Sequence, residues 1–190
     1  MNIGSIVGSL LSDSSVSTIS KASGTTADKT KKVLESAMPS LIDGVKKQAG
    51  SDSLAAGFLS AVAGHSSDST SSLSASDLTD GGKILSHLLG SSKSSLVKSS
   101  AKASGVSQVT SNNVLSGAAR LLMSLLGKET GGKTDGAAGK QLLGALLENT
   151  DVPSIVSTLL KTGSSQGSAS ASASEGKGVL GGILGLFGKK

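Results

Sequence analysis

Two stretches of the chain align with each other without a gap, 81 positions apart. KASGTTADKTKKVLESAMPSLIDGVKKQ begins at Lys21, and KASGVSQVTSNNVLSGAARLLMSLLGKE begins at Lys102. The likeness extends upstream, from IVGSLL to ILSHLL, and downstream, from FLSAV to LLGAL. A recurring unit of this length buries its apolar faces within itself or against its twin. The repeat therefore predicts two related modules of about 65 residues each.

The apolar residues inside each copy recur with a helical period. IVGSLL, for example, places four large apolar side chains on one helical stripe. Gly24 and Gly105 are predicted to end short helices in the left-handed conformation, and Thr26 and Ser107 to cap the helices that follow. Pro39 lies within a long predicted helix and is expected to kink or restart it. No stretch alternates with period two for long enough to predict a strand.

These observations predict an all-α, multihelical array of two related modules with a flexible C-terminal tail. The predicted divisions are a first module at 1–64, a Ser-rich connector at 65–82, a second module at 83–149, a short helix at 150–162, a Gly/Ser/Ala linker at 163–178 and an apolar C-terminal segment at 179–190.

Composition excludes several kinds of chemistry. The chain has no Cys, so disulfides, thiolate metal sites and cysteine nucleophiles are absent. His65 and His87 do not have zinc-ligand spacing, and Asp68 lies near His65 in a Ser-rich loop that is not expected to preorganise a site. The net charge of +5 is scattered along the chain, which indicates a solvated lysine surface. We expect no catalytic, cofactor-binding or metal-binding residue and no small-molecule substrate.

The start of the chain has no basic region and no small-residue cleavage site, and no run approaches the roughly 18 apolar residues that span a bilayer. The sequence therefore predicts a soluble, cytoplasmic protein.

Residues 127–134 read GKETGGKT, which matches the phosphate-binding pattern G-x-x-x-x-G-K-[ST]. A genuine phosphate loop follows a strand and opens a helix. Here the stretch follows a helical pattern, and its counterpart in the first copy, KKQAGSDS, lacks the motif. The match is therefore interpreted as a connector between helices, with no nucleotide cofactor.

Several of these segments together resemble a bacterial family. The opening helix, the KASG turn, the AMPSLIDG segment and DGGKILSHLLG at Asp80–Gly90 are similar to the YidB-like group, domain of unknown function 937. The resemblance covers most of residues 1–149. It implies a multihelical, cytoplasmic bacterial protein and brings no activity, cofactor or catalytic residue.

Two functional hypotheses come from the residues themselves. The first is a non-enzymatic scaffold or protein-interaction module. The glycine-rich tail GVLGGILGLFGKK places five apolar residues on one helical face, and this face is expected to dock on the chain itself, on a second copy, on a protein partner or on a membrane surface. The five residues are Val179, Leu180, Ile183, Leu184 and Phe187.

The second hypothesis is a helix-turn-helix nucleic-acid binder. Both copies read as a short helix, a glycine turn and a second helix with polar residues in its first turns. The candidate contacts are Lys29, Lys31 and Lys32 in the first copy, or Gln108, Asn112 and Asn113 in the second. A single Arg and the apolar stripe of each second helix argue against this hypothesis.

Overall fold

The computed structural model describes residues 3–51, 53–133 and 137. These residues form seven α-helices and no strand, which confirms the predicted all-α class. In chain order the helices are α1 (Ile3–Leu10), α2 (Asp13–Ser23), α3 (Ala27–Ala49), α4 (Ala55–Gly64), α5 (Ala75–Leu89), α6 (Ser92–Ser104) and α7 (Gln108–Glu129). Helix α5 begins inside the Ser-rich stretch 65–82. The predicted short helix, linker and C-terminal segment lie outside the described residues.

The predicted helix ends are confirmed. Gly24 and Gly105 follow α2 and α6 with φ of 66° and 64°, the left-handed conformation that glycine adopts without strain. Thr26 accepts a hydrogen bond from a backbone N–H in the first turn of α3, and Ser107 does the same for α7. Each connection is only three residues long, so α2 turns directly into α3 and α6 into α7.

Helix α3 continues through Pro39, so the prediction that this proline restarts the helix is wrong. A proline inside a helix costs roughly 3 kcal/mol. Leu34 and Met38 lie before Pro39 and Leu41 and Ile42 after it, and all four side chains are fully buried. Burying one such side chain contributes about 1.5–3 kcal/mol. Packing on both sides of the proline therefore outweighs its cost.

The helices of the two halves of the chain interlock. Helix α2 packs against α7, and α3 packs against α6. Helix α5 lies along α7, while α4 contacts both α3 and α7. One apolar core runs through all of them, and it includes the fully buried Ile19, Leu34 and Leu115. The two long helices α3 and α7 therefore hold the other five together.

Glycines permit the closest of these helix crossings. A Cβ at Gly81 of α5 would overlap the carbonyl oxygen of Ser116 of α7. A Cβ at Gly44 of α3 would lie 2.8 Å from the backbone oxygen of Leu88. Real Cβ atoms do not approach a backbone oxygen so closely, so the α5–α7 and α3–α5 contacts both require a residue without a side chain.

Candidate functional site

An apolar groove opens on the surface where α4, α5 and α7 meet. Its cavity has a volume of about 370 Å³. The apolar lining comes from Leu54, Phe58, Ala61, Ile84, Leu88 and Met123. We call this set of residues the α4–α5 groove. Its volume lies at the lower end of the about 300–1,000 Å³ that is typical of ligand sites.

The groove has a buried floor and an exposed rim. Met123, Leu88 and Phe58 are buried, while Leu54 keeps 49% of its surface exposed and Ala61 is exposed as well. Leu54 and Val109 are the two large apolar residues that the structure leaves exposed among its described residues. Leu54 at the rim therefore continues the apolar surface of the buried floor out to solvent.

Few polar groups reach the groove. The polar residues that line it are Gln48, Ser53 and His87, and the Gln48 amide already donates a hydrogen bond of 2.9 Å to the His87 backbone oxygen. The groove therefore lacks a converging set of donors and acceptors that would orient a polar ligand. Its chemistry suits an apolar surface, such as one face of a helix.

A second feature is an ionic cluster around Arg120, the one arginine of the chain. Its guanidinium forms ion pairs with Asp68, with Asp77 at 3.4 Å and with Asp80 at 3.3 Å. His65 lies beside it, with Nδ1 2.7 Å from the Asp68 carboxylate. The Arg120 side chain is 13% exposed. We call these five residues the Arg120 cluster.

The cluster shifts the pKa values of Asp68, Asp77 and Arg120. Burial raises the pKa of Asp68, but hydrogen bonds from Arg120 and His65 outweigh burial and hold this pKa below its ordinary value. The pKa of Asp77 is lowered mainly by the Ser74 hydroxyl and backbone N–H, with a smaller contribution from Arg120. Burial lowers the pKa of Arg120, but Asp68 and the other carboxylates outweigh burial and raise it.

The Arg120 cluster fastens the segment between α4 and α5 to α7. Asp68 lies in that segment, and its backbone oxygen also accepts a hydrogen bond of 3.1 Å from Ser124 of α7. Asp77 caps the start of α5 through a reciprocal capping box with Ser74. All three carboxylates face one guanidinium, so the cluster carries no free cation for an anionic ligand. Its evident role is structural.

The expectation about His65 and Asp68 is corrected here. His65 and Asp68 do form an organised arrangement, because Arg120 approaches them from a helix more than 50 residues away in sequence. Sequence reasoning missed this because a long-range ion pair leaves no local pattern. His87 is exposed at the end of the groove.

The phosphate-loop lookalike begins inside a helix. Gly127, Lys128 and Glu129 are the last three residues of α7, and Thr130 follows as its C-cap. A Cβ at Gly127 would lie 2.5 Å from the backbone oxygen of Val62, so this glycine serves a packing contact with the end of α4. The stretch follows a helix, as the repeat predicted, whereas a phosphate loop follows a strand. Thr134 lies outside the described residues.

The helix-turn-helix candidates lie at the starts of α3 and α7. Lys29 and Lys32 are exposed, while Lys31 forms an ion pair with Asp13 at 2.9 Å. Gln108 is exposed, whereas Asn112 and Asn113 are half-buried. Beyond these first turns, both helices are largely buried in the core. The structure does not gather the two sets of residues into one site.

The five tail residues predicted to form an interaction face, Val179, Leu180, Ile183, Leu184 and Phe187, lie outside the described residues. Among the residues that are described, no helix combines the length and apolar character needed to cross a membrane. No group of acidic or histidine side chains in the same part of the chain is arranged to hold a metal ion.

Comparison with known proteins finds one family. The family described as "Bacterial protein of unknown function (DUF937)" matches residues 6–129, which include most of α1 and all of α2 to α7. No curated protein and no solved structure matches the chain. The matched region contains the α4–α5 groove and the Arg120 cluster.

Proposed function

We propose that this chain, which belongs to the DUF937 family of bacterial proteins, is a non-enzymatic helical module that binds an amphipathic helix in its α4–α5 groove. The observation that carries the proposal is the exposed apolar rim, chiefly Leu54, above a buried apolar floor. We place this activity in the cytoplasm, in line with the sequence prediction. The narrower YidB-like assignment stays a prediction.

A helix is the occupant that the groove suits best. Helix-binding grooves are lined by apolar side chains from two or more helices and take anchor residues spaced three and four positions apart. The α4–α5 groove has such walls and few polar groups. A small polar ligand would bury unpaired hydrogen-bonding groups there, which costs roughly 1–3 kcal/mol for each group.

The test is a titration with a designed, labelled amphipathic helix that presents leucines on one face. The full chain is used with Leu180→Glu and Leu184→Glu, so that its own apolar tail does not compete. Adding Leu54→Glu and Ala61→Glu should weaken binding at least about tenfold, since two carboxylates would be buried against apolar groups. Fluorescence anisotropy measures the affinity.

Val109→Glu is the matched control, because Val109 is also exposed and apolar but lies in the first turn of α7. It is 14 residues from Met123, about 21 Å along the helix. Val109→Glu should leave the affinity unchanged. If the probe helix does not bind, or binds equally well to the groove variant and to the control, the chain is not a helix-binding module of this kind.

We also propose that the two halves of the chain are copies of one helical unit. Pairs of equivalent features support this. Ser23 and Ser104 each donate a hydrogen bond of 2.6 Å to the carbonyl four residues earlier, just before the left-handed Gly24 and Gly105. The helix contacts also correspond. In the proposed repeat α2 is equivalent to α6 and α3 to α7, so the α2–α7 contact has the α6–α3 contact as its counterpart. An approximate twofold relation between the halves would account for both.

DNA binding is the second candidate. The three-residue glycine connections between α2 and α3 and between α6 and α7 have the length of a helix-turn-helix turn, and Lys29 and Lys32 are exposed on the second helix of the first pair. If this function is correct, the chain should shift duplex DNA at low salt, and Lys29→Ala with Lys32→Ala should reduce the salt dependence of binding. A gel that shows no shift at low salt would exclude it.

A further inference from the structure

We infer that the α4–α5 groove binds residues 179–187 of the same chain. The inference rests on the proposed function, because it names the helix that the groove takes. Two observations support it. The groove has no cover among the described residues, and the segment from Gly178 to Gly188 has no polar side chain.

The C-terminal segment carries apolar side chains whose burial would be favourable. Isolated in water it would expose Val179, Leu180, Ile183, Leu184 and Phe187 together. It would not form a stable helix alone, because its five glycines each cost roughly 1 kcal/mol relative to alanine. Burial against an apolar surface compensates for these costs.

The described chain ends beside the groove. At the end of α7, Gly127 packs against the backbone of Val62 and Ser66, at the C-terminal end of α4. Ala61 of the groove is the residue before Val62, and Leu54 precedes the first residue of α4. Helix α4 has 10 residues and is therefore about 15 Å long. The whole groove thus lies within about one length of α4 from the point where the described chain leaves α7.

The segment can reach the groove from its own chain. The 45 residues 134–178 separate Lys133 from the segment, and an extended chain spans up to about 3.3–3.6 Å per residue, which far exceeds the roughly 15 Å length of α4. Docking within one chain is an intramolecular step, so it does not depend on protein concentration and is favoured over docking between chains in dilute solution.

Two other apolar segments of the chain are less suitable occupants. Residues 142–146 contain three leucines, a smaller apolar surface than the C-terminal segment offers. Residues 155–160 carry serine and threonine between their apolar residues, so one face of that segment is already suited to water. The C-terminal segment has no such face.

Disulfide trapping tests the inference directly, because the chain has no cysteine of its own. In the full chain, Ala61→Cys with Leu184→Cys should form a disulfide within one molecule under mild oxidation. The control pair, Val109→Cys with Leu184→Cys, should form it at least about tenfold more slowly, since the two sulfurs must come within bonding distance. Mass spectrometry of tryptic peptides measures the extent of bonding. A bond between two molecules, or equal bonding in both pairs, would overturn the inference.

Competition with the labelled probe helix separates this inference from the proposed function. The wild-type chain should bind the probe at least about fivefold more weakly than the full chain with Leu180→Glu and Leu184→Glu, because the native segment must first leave the groove. Ile155→Glu with Leu159→Glu should leave the affinity at the wild-type value. If the probe binds the wild type and the tail variant equally, the groove binds helices but not its own tail. If instead the 155/159 variant tightens binding, residues 155–160 are the occupant.

Discussion

Arg120 shows what one residue contributes to this protein. It joins Asp68, Asp77 and Asp80, which lie in a loop and on the first turns of α5, to the middle of α7. A lysine would carry the same charge, but as a point charge it lacks the planar set of donors that lets one guanidinium meet three carboxylates. The equivalent position of the first copy is Pro39, so this cluster belongs to one half of the chain only.

Replacing Arg120 by methionine should destabilise the fold by about 1–3 kcal/mol, because three partly buried carboxylates would lose their shared counter-charge. Urea denaturation at pH 7 measures the change. Arg120→Lys is the matched control and should recover only part of the loss. Equal stability of wild type and the methionine variant would show that the cluster contributes no net stability.

The pH dependence of stability follows from the lowered pKa values of Asp68 and Asp77. Both values lie below the ordinary 3.8, so folding favours the charged forms. The contribution is fully present above about pH 4 and is lost as the pH falls through the lowered values. Wild type should therefore lose stability below pH 4 more steeply than Arg120→Met. Parallel pH profiles from thermal unfolding would contradict this assignment.

At the scale of elements, glycines decide how closely the helices cross. Gly81 lets α5 lie against the backbone of α7, and Gly44 lets α3 meet the end of α5. Helix propensity disfavours glycine inside helices by about 1 kcal/mol relative to alanine. The contacts that these glycines permit outweigh that cost. Gly57 of α4 permits no such close contact, since a Cβ at this position meets nothing within 4 Å.

Two alanine substitutions should therefore have opposite effects. Gly81→Ala should destabilise the protein by at least about 1–3 kcal/mol, since its Cβ would push α5 away from Ser116. Gly57→Ala should stabilise it by about 0.5–1 kcal/mol, because the helix gains propensity without a clash. Thermal unfolding of the two variants gives the sign of each effect. Destabilisation of similar size in both would mean that the close α5–α7 crossing is not what requires Gly81.

At the scale of the whole molecule, the interlocked packing makes the described helices one structural unit. Because α2 packs on α7 and α3 on α6, neither half buries its apolar faces alone. The repeat left two arrangements open, in which each module closes on itself or on its twin. If the halves are copies of one unit, as proposed above, the contacts between them correspond to the second arrangement.

A core cavity in one half should therefore weaken the other. Leu34→Ala in α3 should cost about 2–5 kcal/mol and lower hydrogen-exchange protection in α6 as much as in α2. Leu115→Ala, at the equivalent position of α7, should do the same for α2 and α6. Both leucines are fully buried. Loss of protection confined to α1 to α4 in the Leu34 variant would show that the halves fold as separate domains.

Sequence by itself determined the features that depend on neighbours along the chain. The helical period, the left-handed Gly24 and Gly105 and the capping Thr26 and Ser107 are local, because each follows from hydrogen bonds and sterics within a few residues. The structure confirms them. The same local reasoning predicted a kink or a restart at Pro39, and burial against distant helices keeps α3 continuous there.

Tertiary structure alone decided what distant residues do together. Arg120 meets Asp68 across 52 positions, and the α4–α5 groove joins Phe58, Leu88 and Met123 from three helices. No periodicity records such contacts, since they depend on which helix faces meet and how closely they approach. The sequence shows where Gly44 and Gly81 lie along their helices. Only the structure shows that a backbone oxygen of a neighbouring helix occupies the space that a side chain would fill at each of them. The candidate site is a product of helix packing, and the helices themselves are a product of local sequence.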